Sequence, residues 1–222
     1  MSDLRLSTGS STPVRTSDDG HMLMVQGTRD GAMFTQDWLM AKCAEGRAFQ
    51  VSHGVGTAPA SFIGAFVATT PAISIEVPST VVVIPLSYRV KYEAIGTEDE
   101  MEVVAIATNV AVASSAGTAL TVMNLRVDAP VASLVTAKHT STITTPATGN
   151  WYEFFRDGHP LVDTPATTEN DRNSKNYAWT VGDAGYSPVI AGGGSIVLHA
   201  CAQAATGFMS FAWIELPASA LS

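Results

Sequence analysis

Gly192–Gly193–Gly194–Ser195–Ile196–Val197–Leu198–His199–Ala200–Cys201–Ala202–Gln203–Ala204–Ala205–Thr206–Gly207–Phe208–Met209–Ser210–Phe211–Ala212–Trp213–Ile214–Glu215–Leu216–Pro217 reads as two β-strands joined by a turn. A glycine run opens it, suited to backbone angles that other residues avoid. From Ile196 the side chains alternate. Ile196, Leu198 and Ala200 share one face; Val197, His199 and Cys201 share the other. Gln203 to Gly207 supplies a turn of small residues. Phe208 to Leu216 is aromatic and β-branched, and Pro217 stops it. Both faces of that strand are apolar, with Ser210 and Glu215 as its polar members. A strand apolar on both faces is normally covered on both faces. Its expected place is the centre of a β-sandwich or a contact between subunits. Phe208, Phe211, Trp213 and Ile214 are its core or subunit-interface candidates. Trp213→Ala is expected to be costly and Glu215→Gln to leave the fold intact.

Working outward, the rest of the chain is also β. Leu86, Tyr88, Val90, Tyr92 and Ala94 alternate with Ser87, Arg89, Lys91 and Glu93, the signature of a strand with one wet face. Met101–Ala113 is almost wholly apolar and reads as a long central strand, forming a hairpin with 119–127. Shorter runs at Ser61–Thr69 and Ala72–Val77 are punctuated by Pro71 and Pro78. Ala129–Thr148 suits an outer strand with hydroxyl groups outward. Trp151–Arg156 is a dense aromatic stretch before a turn at Asp157–Pro160. Tyr177–Val181 is a short strand, with a turn at Gly182–Tyr186. A short helix over Thr35–Cys43 is expected, with Thr35 as N-cap and Glu45–Gly46 as its end. Met1 to Gly20 is polar and reads as a flexible arm, dispensable for folding. The fold expected is therefore all-β: one jelly-roll-like antiparallel β-sandwich over residues 21–222, a flexible arm over 1–20, and at most one short helix.

Composition limits the function. The 222 residues are 46% hydrophobic but only 14% charged, against about 25% charged in an average globular domain. That deficit is what burial against other subunits requires. A net charge of −8 and dispersed Lys and Arg argue against direct nucleic-acid binding and against anionic membranes. No apolar leader is visible at the start and folding in a reducing compartment is expected; Cys43 and Cys201 lie far apart, and the sequence leaves both a disulfide and two buried thiols open, with buried thiols expected.

Chemistry-bearing residues do not assemble into a catalytic motif. None of His21, His53, His139, His159 and His199 lies within four positions of another, so the closely spaced pair of a cupin-type metal site is missing. His199 reads as a core histidine. The acidic run Glu98–Asp99–Glu100 with Glu102 has no calcium-loop spacing. No Gly-x-Ser-x-Gly elbow exists. No enzyme activity, cofactor or metal is expected. Trp151, Tyr152, Trp179 and Tyr186 remain as candidates for a sugar-stacking platform.

The polar arm, the single jelly-roll-like domain, the scarcity of charge, the abundance of Ala, Val, Thr and Gly, and the apolar last strand together resemble structural proteins of viruses, bacteriophages in particular. The resemblance implies a capsid, decoration or collar subunit of the virion, assembled in the host cytoplasm. Its partners would be copies of itself, trimer-based in the manner of jelly-roll virion proteins, and other virion proteins. The alternative is a carbohydrate- or receptor-binding module of a phage tail or secreted complex.

Overall fold

A computed structural model describes residues 6–7, 25–26, 38–64, 66–94, 101–128, 131–144, 150–159, 176–202 and 205–221. In chain order its elements are β1 (Leu6–Ser7), β2 (Val25–Gln26), α1 (Trp38–Ala44), β3 (Ala48–His53), β4 (Ala60–Ser61), β5 (Ile73–Glu76), β6 (Val81–Ala94), β7 (Met101–Thr108) and β8 (Thr118–Ala119). There follow β9 (Val122–Asn124), β10 (Thr136–His139), β11 (Trp151–His159), β12 (Asn176–Thr180), α2 (Val181–Ala184), β13 (Ile190–Ala191), β14 (Ser195–Cys201), β15 (Thr206–Pro217) and a 3₁₀ turn at Ala218–Leu221. The chain divides into two compact units, Met1–Ala41 and Lys42–Ser222. In the first, β1 pairs β2 in parallel. Thr35 and most of the expected arm lie outside the described residues.

The second unit is an antiparallel β-sandwich, as the alternation patterns predict. One sheet runs β11-β7-β14-β5-β10-β8; the other runs β12-β6-β15-β3-β9, with β13 on β6 and β4 on β15. The long strands pair in a nested order. β3 pairs β15, β5 pairs β14, β6 pairs β12 and β7 pairs β11, all antiparallel. The first of these strands thus lies beside the last. Between the sheets, Ile73, Ile75, Val103, Ala105, Ile196 and Leu198 meet Phe49, Val51, Tyr88, Val90, Met209, Phe211 and Trp213. The Tyr88 hydroxyl crosses this core to donate to the His199 carbonyl at 2.8 Å, and that of Tyr92 to the Cys201 carbonyl at 3.1 Å. Burial holds both phenols well above their ordinary pKa, so they remain donors.

The strand read first is where its sequence places it. β15 is flanked by β6 and β3, with Phe211, Trp213 and Ile214 fully buried. β14 is buried along its whole length, with Ile196, Leu198 and Ala200 in the main core. Val197 points the other way and joins Val104, Ile106, Val112 and Ile143 in a second cluster, closed by Phe66 and Trp151. A layer of loop therefore covers the outer face of this sheet.

Several expectations fail for stated reasons. The hairpin 101–113/119–127 does not form: both edges of β7 are already taken by β11 and β14. The chain leaves the sheet after Thr108 and buries Val112 on the second cluster, while β8 pairs β10 and β9 pairs β3. Of Ser61–Thr69 only Ser61 lies in a strand; Phe66 belongs to the covering layer. β11 continues through the turn expected at Asp157–Gly158–His159. Gly158 serves proximity there, since a Cβ would come within 2.7 Å of the Met101 carbonyl oxygen. Most of the turn expected at Gly182–Tyr186 is the short helix α2, which Thr180 caps and left-handed Gly185 ends. The helix α1 does end as expected: Gly46 at φ 70 donates to the Cys43 carbonyl at 3.0 Å.

Candidate functional site

The segment from β9 to the start of β10 has an inverted surface. Among the described residues β9 is the edge of its sheet and pairs only β3. Around it the polar side chains are tied by hydrogen bonds to the chain itself, with Asn124 and Arg126 partly buried and Asp128 exposed. The Asn124 amide donates to the carbonyls of Gly46 and Val131, each at 2.9 Å, and its oxygen accepts from the Arg126 N–H at 2.8 Å. Arg126 reaches the Ala44 carbonyl at 2.9 Å and pairs Asp128 at 3.0 Å, which leaves the segment without net charge. At its far end the buried Glu215 carboxylate accepts from the Ser133 hydroxyl, from the Leu134 N–H at 3.1 Å and from Trp213 Nε1 at 2.9 Å.

The apolar side chains turn outward instead. Met123, Leu125, Val131 and Leu134 are all at least two-fifths exposed, and Val127 is 91% exposed. Ordinary surface loops place their side chains the other way round. These aliphatic groups stand in solvent beside the outer edge of β9, on a segment held by its own hydrogen bonds.

The sequence candidates separate. Phe211, Trp213 and Ile214 belong to the domain interior, whereas Phe208 is half-buried on the outer face of its sheet. The four aromatic residues offered as a sugar platform do not form one. Trp179 is 5% exposed, edge-on to Phe154 in the main core at 5.0 Å. Trp151 is half-buried against the second cluster. Tyr152 and Tyr186 are exposed, but only Tyr152 lines the small hollow of about 230 Å³ beside Pro188 and Val189.

Folding brings two histidines together that are far apart in sequence. The rings of His53 and His139 stand 4.3 Å apart. Burial and the neighbouring His139 lower the His53 pKa to about 4. His199 is fully buried under the Phe66 ring at 4.6 Å, with no hydrogen bond to either ring nitrogen among the described residues. Burial and nearby Arg156 lower its pKa to about 4. Arg156 itself lies 5.7 Å from the Phe66 centroid and pairs Glu102 and Glu153. Burial pushes the Cys201 thiol up to about 12, so it is no nucleophile at neutral pH. Among the described residues Cys43 and Cys201 are both free, no three His, Cys, Asp or Glu side chains converge on a metal-sized site, and no helix is long and apolar enough to cross a membrane. The acidic residues 98–100 lie outside the described residues.

Against known proteins, the chain matches no family model, no curated protein and no solved structure.

Proposed function

We propose that the protein is a virion structural subunit, a self-assembling capsid or capsid-associated (decoration or collar) protein built on a jelly roll, as in bacteriophages. The observation that carries this reading is the inverted edge around β9. Its polar groups are spent on holding its own shape, and its aliphatic groups face outward, as an interface core requires. The nested strand pairing supports the jelly roll, an architecture recurrent in viral shells. The scarcity of charge in the sequence supports extensive burial between copies. In this reading the protein works by repeated contacts and not by catalysis, its partners are copies of itself and other virion proteins, and its place is the virion.

Light scattering of the native protein tests it, with the double variant Val127→Glu/Leu134→Glu beside it. The native protein is expected to have a mass that is a multiple of the chain mass. Both substituted side chains are already solvated, so the variant should melt as the native protein does yet sediment at a lower mass. A native protein that is monomeric at micromolar concentration contradicts the reading.

A further inference from the structure

The outer face of the other half of that sheet has a different chemistry. On β6, Arg89 and Lys91 point outward and are exposed. Strand register sets Arg89 beside Ala178 on β12 and Ser210 on β15, with Ser52 on β3 next in the row. It sets Lys91 between Asn176 and Phe208. A hollow of about 460 Å³ lies across these strands and is lined by Ser52, Arg89, Lys91, Asn176, Phe208 and Ser210, among others. That is within the size of small-molecule sites, roughly 300–1,000 Å³.

The two cations have no ion pair and no hydrogen bond among the described residues. Lys42, Arg126 and Arg156 are each neutralised by a carboxylate. In a chain of net charge −8, Arg89 and Lys91 are two adjacent cations on one strand face with no carboxylate partner among the described residues. Between residues i and i+2 of a strand they stand about 7 Å apart. The aromatic beside them is positioned by Gly54, whose φ of 90 excludes most side chains; a Cβ there would come within 3.0 Å of Phe208 Cδ1. The hollow thus combines a guanidinium fork, an ammonium, amide and hydroxyl groups, and one aromatic ring.

We infer that this hollow is a binding site for an acidic saccharide. Arg89 matches a carboxylate or sulfate with two parallel hydrogen bonds, and Lys91 adds a point charge. Asn176, Ser52 and Ser210 offer donors and acceptors to sugar hydroxyls. Phe208 offers a ring to the apolar face of a sugar. A nucleic-acid strand is disfavoured, because its affinity grows with the number of phosphates neutralised and only two cations stand here on an acidic molecule. This inference is independent of the assembly reading and of the Trp151, Tyr152 and Tyr186 positions.

Calorimetric titration of the native protein tests it, with four probes: oligogalacturonate, dextran sulfate, neutral dextran and a single-stranded oligonucleotide. At least one acidic glycan should bind, the two anionic probes distinguishing a uronate from a sulfate ligand, and neutral dextran should not. The variant Arg89→Ser/Lys91→Ser should melt like the native protein and bind the glycan at least about tenfold more weakly, a change of about 1.4 kcal/mol. Phe208→Ser should weaken it as well. The inference is overturned by failure of both acidic glycans to bind, by unchanged affinity in either variant, or by tighter binding of the oligonucleotide.

Discussion

His199 is the residue whose environment departs furthest from the usual rules. Buried polar atoms nearly always find a partner, yet neither of its ring nitrogens does so among the described residues. The aliphatic neighbours Ile196, Val197 and Leu198 make burial legible in the sequence, and burial is what the structure has. The Phe66 lid and the Arg156–Glu102–Glu153 network around it come from distant segments that no local pattern connects. The energetic result is a dependence on pH. Unfolded, the imidazole takes up a proton below its ordinary pKa of 6.5; folded, it resists until about pH 4. The unfolded state therefore binds more protons between these values, and stability falls as pH drops through that window. His199 alone should make the protein about 2 kcal/mol less stable at pH 5 than at pH 8. His53, with its pKa lowered in the same direction, adds to the same trend. Urea denaturation at the two pH values checks this. His199→Leu fills the site without a titrating group and should flatten the dependence by that amount, leaving the share of His53. An unchanged pH dependence in this variant would show that the imidazole is hydrated in solution.

At the level of the element, β15 shows what a single strand discloses and what it hides. Its two apolar faces make its central position legible. Its partners are not, because Phe49, Tyr88 and the β9 loop lie far away in the chain. Glu215 illustrates the gap. In sequence it is one acid at the end of an apolar strand, and a harmless change to Gln is the natural expectation. In the structure it is buried and accepts hydrogen bonds from Trp213, Ser133 and Leu134. A glutamine offers one acceptor oxygen, and its NH₂ faces groups that are themselves donors. Glu215→Gln should therefore cost about 1–3 kcal/mol and loosen the segment that presents Leu134. Trp213→Ala removes a fully buried indole stacked on Phe211 and Phe49 and should cost about 3–5 kcal/mol. Thermal denaturation of both variants tests the pair; a Glu215→Gln protein that melts with the native one would mean that the carboxylate is dispensable. The hairpin misread at 101–127 has the same origin. Two apolar runs separated by a turn look like partners, but long-range pairing had already filled both sides of β7.

For the whole molecule, the class of fold was legible in alternating residues and turn signals, whereas the order of strands was not, since nested pairing joins segments from opposite ends of the domain. That order has a price in time, because distant contacts must form before local ones are rewarded. A chain ending at Ala205 lacks the strand between β6 and β3, and it should show no cooperative unfolding transition by circular dichroism. A truncated chain that still melts cooperatively would mean that β6 and β3 can close the sheet without it. The same geometry reaches back to the moment of synthesis. Chains emerge from the ribosome N-terminal end first, at about 5–20 residues per second. β3 is made early and its partner β15 late, so β3 must wait for most of the domain to be translated. During that interval the apolar faces of the waiting strands are open to solvent. The sheet between β6 and β3 can therefore close only once β15 has been made.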